Sequence, residues 1–260
     1  MARRSGGDKL FQRKKELEEK DFRRKKADKA KIPDVIIACE DSVSSPTYFQ
    51  KIVEKLIQEK RITQDSFVIA NHNHSNPSGV LDDLKKHICN NGKTYKDFEH
   101  KWIVIDRDIA RVNGGGHSKE DFNLAILNAK RLKVEVAYSN DSFELWYLLH
   151  FEYRDTAILR DEILDEVIKK LKAKNPHKFS LLDKTTIKQS NFTKHIFDEL
   201  IVLQDVAIRN AKRLLDSYGD NHNPESDNPA TTVHLLVEVL NGLGKKYEGS
   251  CIVEKFNIFY

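Results

Sequence analysis

The sequence predicts an α/β fold: a mostly parallel sheet covered by helices on both faces, followed by a helical C-terminal half. Three observations predict it. Four short apolar runs are each followed by an amphipathic stretch of helical period. These runs are continuous rather than alternating, as in strands buried on both faces. Beyond about residue 152 the strand-like runs stop until the tail, while apolar residues at helical spacing persist. Repeated strand–helix units of this kind imply right-handed crossovers and a parallel sheet.

The first run, Val35-Ile36-Ile37-Ala38-Cys39, leads into a helix placing Tyr48, Phe49, Ile52, Val53, Leu56 and Ile57 on one face, opposite Lys51, Glu54, Lys55 and Glu59. Next comes Phe67-Val68-Ile69-Ala70, a polar loop 71–78 and a helix over about 80–89. A third unit has Trp102-Ile103-Val104-Ile105, a loop through Gly114-Gly115-Gly116 and a helix over about 120–132. The fourth strand is Val134-Glu135-Val136-Ala137-Tyr138, followed by a helix carrying Phe143, Leu145, Trp146, Leu148 and Leu149. Helical patterns over 158–173 and 192–215, and a shorter one with Val233, Leu236, Val237 and Leu240, complete the C-terminal half. The expected organisation is a basic arm 1–31, an α/β domain 32–152 and a helical region 153–260 packed on it.

Charge is unevenly spread. The 260 residues carry 44 Lys plus Arg against 40 Asp plus Glu, a net +4, yet residues 1–31 alone hold 13 basic and 6 acidic side chains. That arm reads as a solvated leader or as a tail for nucleic-acid phosphates. No stretch of 18 apolar residues exists and the first residues do not form a signal peptide, so neither a membrane span nor secretion is expected. Cys39, Cys89 and Cys251 are widely spaced and belong to no C-x-x-C pair, which argues against a disulfide framework or zinc site and for a reducing cytoplasm.

Ligands of an open parallel sheet bind at the carboxyl ends of its strands. Here those ends are acidic: Glu40 and Asp41 follow the first strand, Asp106 and Asp108 the third. In extended chain, Asp-x-Asp sets two carboxylates about 7 Å apart on one side. Carboxylates converging at one edge repel unless a cation lies among them, and Mg²⁺ or Mn²⁺ suits oxygen donors while leaving positions for water and phosphate. Such an ion polarises a phosphodiester and activates water.

The same residues resemble a known family. A strand ending in Glu40 followed by a strand ending in Asp106-Arg107-Asp108 resembles the Toprim catalytic domain of topoisomerases, primases and several small nucleases. Val-Ile-Ile-Ala-Cys-Glu40 with Thr47-Tyr48-Phe49, then Trp102 to Asp108, then Ala137 to Trp146 and Leu149-His150-Phe151, and finally Asn228 to His234, are similar to the RloB-like proteins. The resemblance implies a prokaryotic, metal-dependent nuclease acting on DNA or RNA, tRNA included, in phage defence or abortive infection, together with a defence-system partner protein. It assigns Glu40 as general acid, base or metal ligand and Asp106 and Asp108 as the metal-binding pair. Asp41 stands where the family often has glycine, adding a carboxylate. No counterpart of a topoisomerase's attacking-tyrosine domain is evident, which favours hydrolysis by an activated water.

Other candidates surround this set. Glu144, in the first turn of its helix, is a further metal ligand or a carboxylate complementing the helix dipole. Ser139 and Asn140 are turn or capping residues, or phosphate ligands. His72 and His74 lack a third ligand nearby and read as substrate contacts in a solvated loop. His150 reads as structural, and His234 as a packed helix residue or a site residue. Arg107 should turn away from the aspartates into a salt bridge. Arg111 and His117 flank a glycine run that could reach phosphate but lacks a P-loop lysine, so nucleotide triphosphate hydrolysis has no support. Two alternatives stay open: a non-catalytic binding subunit of a defence complex and a small-molecule phosphatase. The apolar tail 251–260 reads as an edge strand or a segment that pairs two copies of the chain.

Overall fold

The strand order decides where a ligand can bind. The computed structural model describes residues 14–16, 34–108 and 116–245. Five strands, β1 (Val35–Cys39), β2 (Phe67–Ile69), β3 (His100–Asp106), β4 (Glu135–Asn140) and β5 (Ala230–Thr231), form one sheet in the order β2-β1-β3-β4-β5. The first four are mutually parallel, and β5 runs antiparallel to β4. From β1 the chain steps outward to β2, then crosses back to β3 on the other side. The gap between the carboxyl ends of β1 and β3 is therefore the topological switch point.

Reversing direction also sends the helices to opposite faces, because each crossover keeps the same hand. Helix α1 (Ser44–Gln58) joins β1 to β2, whereas α2 (Pro77–Lys86) and α3 (Lys119–Arg131) make the return crossovers. Ile36, Ala38, Ile103, Ile105, Val136 and Tyr138 pack with Val80, Leu81 and Leu84 of α2 and Phe122, Ala125, Ile126 and Ala129 of α3. By the alternation of strand side chains, Val35, Ile37, Trp102, Val104 and Ala137 turn to the face of α1, and all are buried.

After β4 the short helix α4 (Glu144–Leu149) is buried on every side, as the apolar run Leu145-Trp146-Tyr147-Leu148-Leu149 that follows Glu144 requires. Each of its large side chains contributes roughly 1.5–3 kcal/mol by leaving water. Around it stand α5 (Arg160–Lys174), α6 (Ser190–Leu200), α7 (Gln204–Asp216) and α8 (Val233–Gly242). The single pattern expected over 192–215 is broken by a 3₁₀ turn at Ile201–Leu203. The C-terminal half also supplies β5, a strand of two residues, too short to leave an alternating or continuous pattern.

The chain divides into two units, Met1–Ile32 and Pro33–Tyr260, and the second holds both the α/β elements and the later helices. Apart from the exposed helical residues Lys14–Glu16, the expected basic arm lies outside the described residues, as do the tail 251–260, Cys251 and Arg111. Cys39 and Cys89 are free thiols. No described helix is long and apolar enough to cross a membrane.

A buried polar chain fastens the helices together. The Tyr48 hydroxyl accepts from Gln204 Nε2 (3.2 Å) and meets His150 Nε2 at 3.1 Å, while Asn241 Nδ2 donates to Gln204 Oε1 at 2.7 Å. His150 Nδ1 lies 2.8 Å from the Trp146 carbonyl, which assigns its proton to Nδ1 and leaves Nε2 to accept from Tyr48. Burial pushes the His150 pKa down to about 3. His150→Phe strands the Tyr48 hydroxyl and is expected to cost about 1–3 kcal/mol at neutral pH. The unfolded chain takes up a proton at His150 near pH 6.5 while the folded chain resists it, so the histidine's contribution fades as pH falls from 6.5 toward 3. Urea unfolding at pH 7 and pH 5 should show the deficit of the variant narrowing at the lower pH.

Candidate active site

Glu40 is the first residue past β1, and its backbone amide donates to the Val104 carbonyl (2.9 Å), carrying the β1–β3 ladder one step further. Its side chain then turns back across the switch point, where Oε2 accepts from the Asp106 amide at 2.9 Å. Asp106 ends β3 in register with Ser139 of β4, and the Arg107 amide donates to the Ser139 carbonyl at 2.8 Å. Alternation sends Arg107 to the far side of the strand, as expected. There it makes no ion pair among the described residues. Its guanidinium lies 5.7 Å from the Phe122 ring centre and its Nε donates to the Glu225 carbonyl at 3.2 Å.

The acids fall into two groups. Asp108 and Glu144 have cations: Arg160 reaches Asp108 Oδ2 at 2.5 Å, and Lys188 Nζ lies 3.2 Å from Glu144 Oε1, which also accepts from the Ser44 hydroxyl at 3.3 Å. Burial would raise the Glu144 pKa, but Lys188 and Arg160 outweigh it and hold the carboxyl below its ordinary value. Glu40 and Asp106 pair with no Lys or Arg among the described residues. Burial, then the Asp106 charge, push Glu40 up to about 9 against the opposing Asp106 amide. Asp106 is itself raised well above the usual carboxylate range by burial and by Glu144, despite Lys188 and Arg160.

His117 completes this centre. Its amide donates to the Asp108 carbonyl at 3.0 Å, and its ring stacks on Phe122 with Nδ1 3.5 Å from Glu40 Oε1. Burial holds its pKa below the ordinary value, so the ring is neutral at pH 7. Its Nε2 is buried without a hydrogen-bond partner among the described residues.

The remaining sequence candidates do other work. Asp41 caps α1, accepting from the amides of Val43 (2.9 Å) and Ser45 (3.0 Å) and from the Ser45 hydroxyl. His72 Nδ1 lies 3.2 Å from the Cys39 carbonyl. His74 is held at 2.7 Å by Asp83, which also accepts from the amides of Asn73 and His74 and so shapes the loop. Ser139 Oγ meets Thr231 Oγ1 at 3.0 Å in the β4–β5 seam, and Asn140 Nδ2 donates to the Glu225 carbonyl at 3.5 Å. His234 is buried in α8, and burial pushes its pKa down to about 4. Among the described residues, none of His72, His74, Ser139, Asn140 and His234 shares a hydrogen bond with the Glu40, Asp106 or Glu144 carboxylate.

Among the described residues, no three His, Cys, Asp or Glu side chains stand close enough together to form a ready-made metal cage. The donor set nonetheless fits a hard cation bound in the manner of Mg²⁺, which takes one or two carboxylates and fills its other positions with water and phosphate oxygens. Glu40 and Asp106 suit that role, since among the described residues no donor or cation is hydrogen-bonded to the Asp106 side chain and one Glu40 oxygen is committed to an amide. Arg160 holds one oxygen of Asp108 and Lys188 one oxygen of Glu144, whose Oε2 is buried without a hydrogen-bond partner among the described residues. Those two cations, and the Glu40 contact of His117, are not foreseen in the sequence: Arg160 and Lys188 lie 52 and 44 residues beyond the carboxylates they hold, and no motif marks them.

Because Glu40 keeps its proton when folded and loses it near pH 4.5 when unfolded, its contribution is complete below that value and is lost as pH rises toward 9. Glu40→Gln is therefore expected to raise thermal stability at pH 8 and to change it much less at pH 5. Equal shifts at both pH values would contradict this account.

The family model described as RloB-like protein matches residues 35–240, which spans every strand and nearly every helix of the fold. No curated protein and no solved structure matches the chain. With the carboxylate centre, Ser139-Asn140 and His234 all inside the matched segment, the chain belongs to the RloB-like protein family.

Proposed function

We propose that this chain is a Toprim-type, metal-dependent nuclease that hydrolyses phosphodiester bonds of nucleic acid, in the prokaryotic cytoplasm and in antiviral defence. One observation carries the reading. Glu40 and Asp106, joined through a 2.9 Å hydrogen bond across the switch point, present half-buried carboxylates that form no ion pair with Lys or Arg among the described residues. Family membership supports it, as does the position of the pair where open parallel sheets bind ligands.

Mg²⁺ or Mn²⁺ held by Glu40 and Asp106 would supply a Lewis acid for the phosphoryl oxygen and a bound water more acidic than bulk water. Glu40 Oε2 is committed to the Asp106 amide, so Oε1 is the oxygen left to face a cation, and the neutral His117 ring, with Nδ1 3.5 Å from Oε1, is the base beside the pair that takes the proton of the attacking water. Asp108 is fixed by Arg160, and its carbonyl seats the His117 backbone, so the segment after β3 positions the ring.

Purified protein incubated with DNA, bulk RNA and tRNA is expected to cleave at least one of them with Mg²⁺ or Mn²⁺ and none with chelator. Glu40→Gln and Asp106→Asn should each lower the rate by about 10²-fold or more. Cleavage that persists in both variants would overturn the assignment. So would hydrolysis of a small phosphate ester with every polymer left intact, the result expected of a phosphatase.

A further inference from the structure

We propose that Arg160 and Lys188 are the residues that bind the substrate's phosphate at the Glu40–Asp106 edge, a role that rests on the nuclease reading. The first support is placement. Both come from the C-terminal half, Arg160 as the first residue of α5 and Lys188 just ahead of α6, yet both end at the carboxyl edge of the sheet. The second is accessibility. The Lys188 and Arg160 side chains are 32% and 23% exposed, whereas Glu144 is fully enclosed, so the cations form the outer rim that an approaching anion meets first.

Charge gives the third support. Five acidic side chains, Glu40, Asp41, Asp106, Asp108 and Glu144, crowd one edge, and Arg160 and Lys188 are cations whose charges act on both Asp106 and Glu144. A planar guanidinium matches two non-bridging phosphate oxygens, and an ammonium adds a point charge beside it. On turning to phosphate, Lys188 would leave Glu144 with the Ser44 hydroxyl, so that carboxylate is not wholly unsupported. The helical half thus supplies the anion-binding side of a centre whose acidic side comes from the sheet.

The test measures binding of fluorescent tRNA and of duplex DNA, in parallel, to the full chain carrying Glu40→Gln, across a salt series. Lys188→Gln and Arg160→Gln in that background are each expected to weaken binding about tenfold and to lower the slope of log affinity against log salt by about one. Lys188→Arg should keep the slope. In the active chain the same changes should raise KM more than they lower kcat. Unchanged affinity and slope in both variants, with the parent binding normally, would overturn this inference alone. A parent that binds neither polymer, with a wild type that cleaves neither, would overturn the nuclease reading and this inference with it. Should Arg160→Gln not fold, Arg160→Lys keeps the charge but not the fork. Weaker binding at an unchanged slope is then expected, and affinity equal to the parent's would refute the role of Arg160.

Discussion

Carboxylates that repel one another at the parting of β1 and β3 set the terms for the rest of this molecule. A parallel sheet with strand order β2-β1-β3-β4 brings Glu40 and Asp106 to the same gap, and burial there strengthens their mutual repulsion. The surroundings relieve part of it. Asp41 is turned aside to cap α1, one Glu40 oxygen takes the Asp106 amide, and Arg160 and Lys188 neutralise Asp108 and Glu144. What is left over is a pair of acids whose pKa values are raised well above the ordinary range, a perturbation of the kind that clusters at functional sites.

The helical half is part of the same construction. Its strand β5 closes the sheet beyond β4, and the loop before it places the Glu225 carbonyl where it receives both Arg107 Nε and Asn140 Nδ2. That carbonyl steadies the residues immediately flanking Asp106 and Ser139 from the opposite side of the strand. On the α1 side, the chain Asn241–Gln204–Tyr48–His150 ties α8, α7 and α1 to the end of α4, whose first residue is Glu144. A site made of residues from β1, β3, α4, α5 and the segment before α6 is held rigid by contacts that no single stretch of chain could make alone.

Much of this was legible in the sequence because the signals are local. Continuous runs such as Val35–Cys39 declare buried parallel strands, and an acid directly after such a run declares a candidate site residue. What escaped is long-range or short. β5 has two residues and leaves no period. The break at Ile201–Leu203 lies within residues that all favour helix. Arg107 found an aromatic face and a carbonyl in place of a carboxylate, since both are supplied by residues distant in sequence. Asp41 and His74 look like site residues by type and position, yet hydrogen-bond geometry commits the first to a helix start and the second to a loop built on Asp83. The roles of Lys188 and Arg160 depend wholly on how the later helices fold back.

The central claim is that Glu40 and Asp106 hold protons which a divalent cation displaces. Calorimetric titration of Mn²⁺ into the protein at pH 8, repeated in buffers of different ionisation enthalpy, counts those protons directly. The account predicts binding accompanied by net proton release, with both lost in Asp106→Asn. Binding without proton release, or undiminished binding in Asp106→Asn, would contradict it.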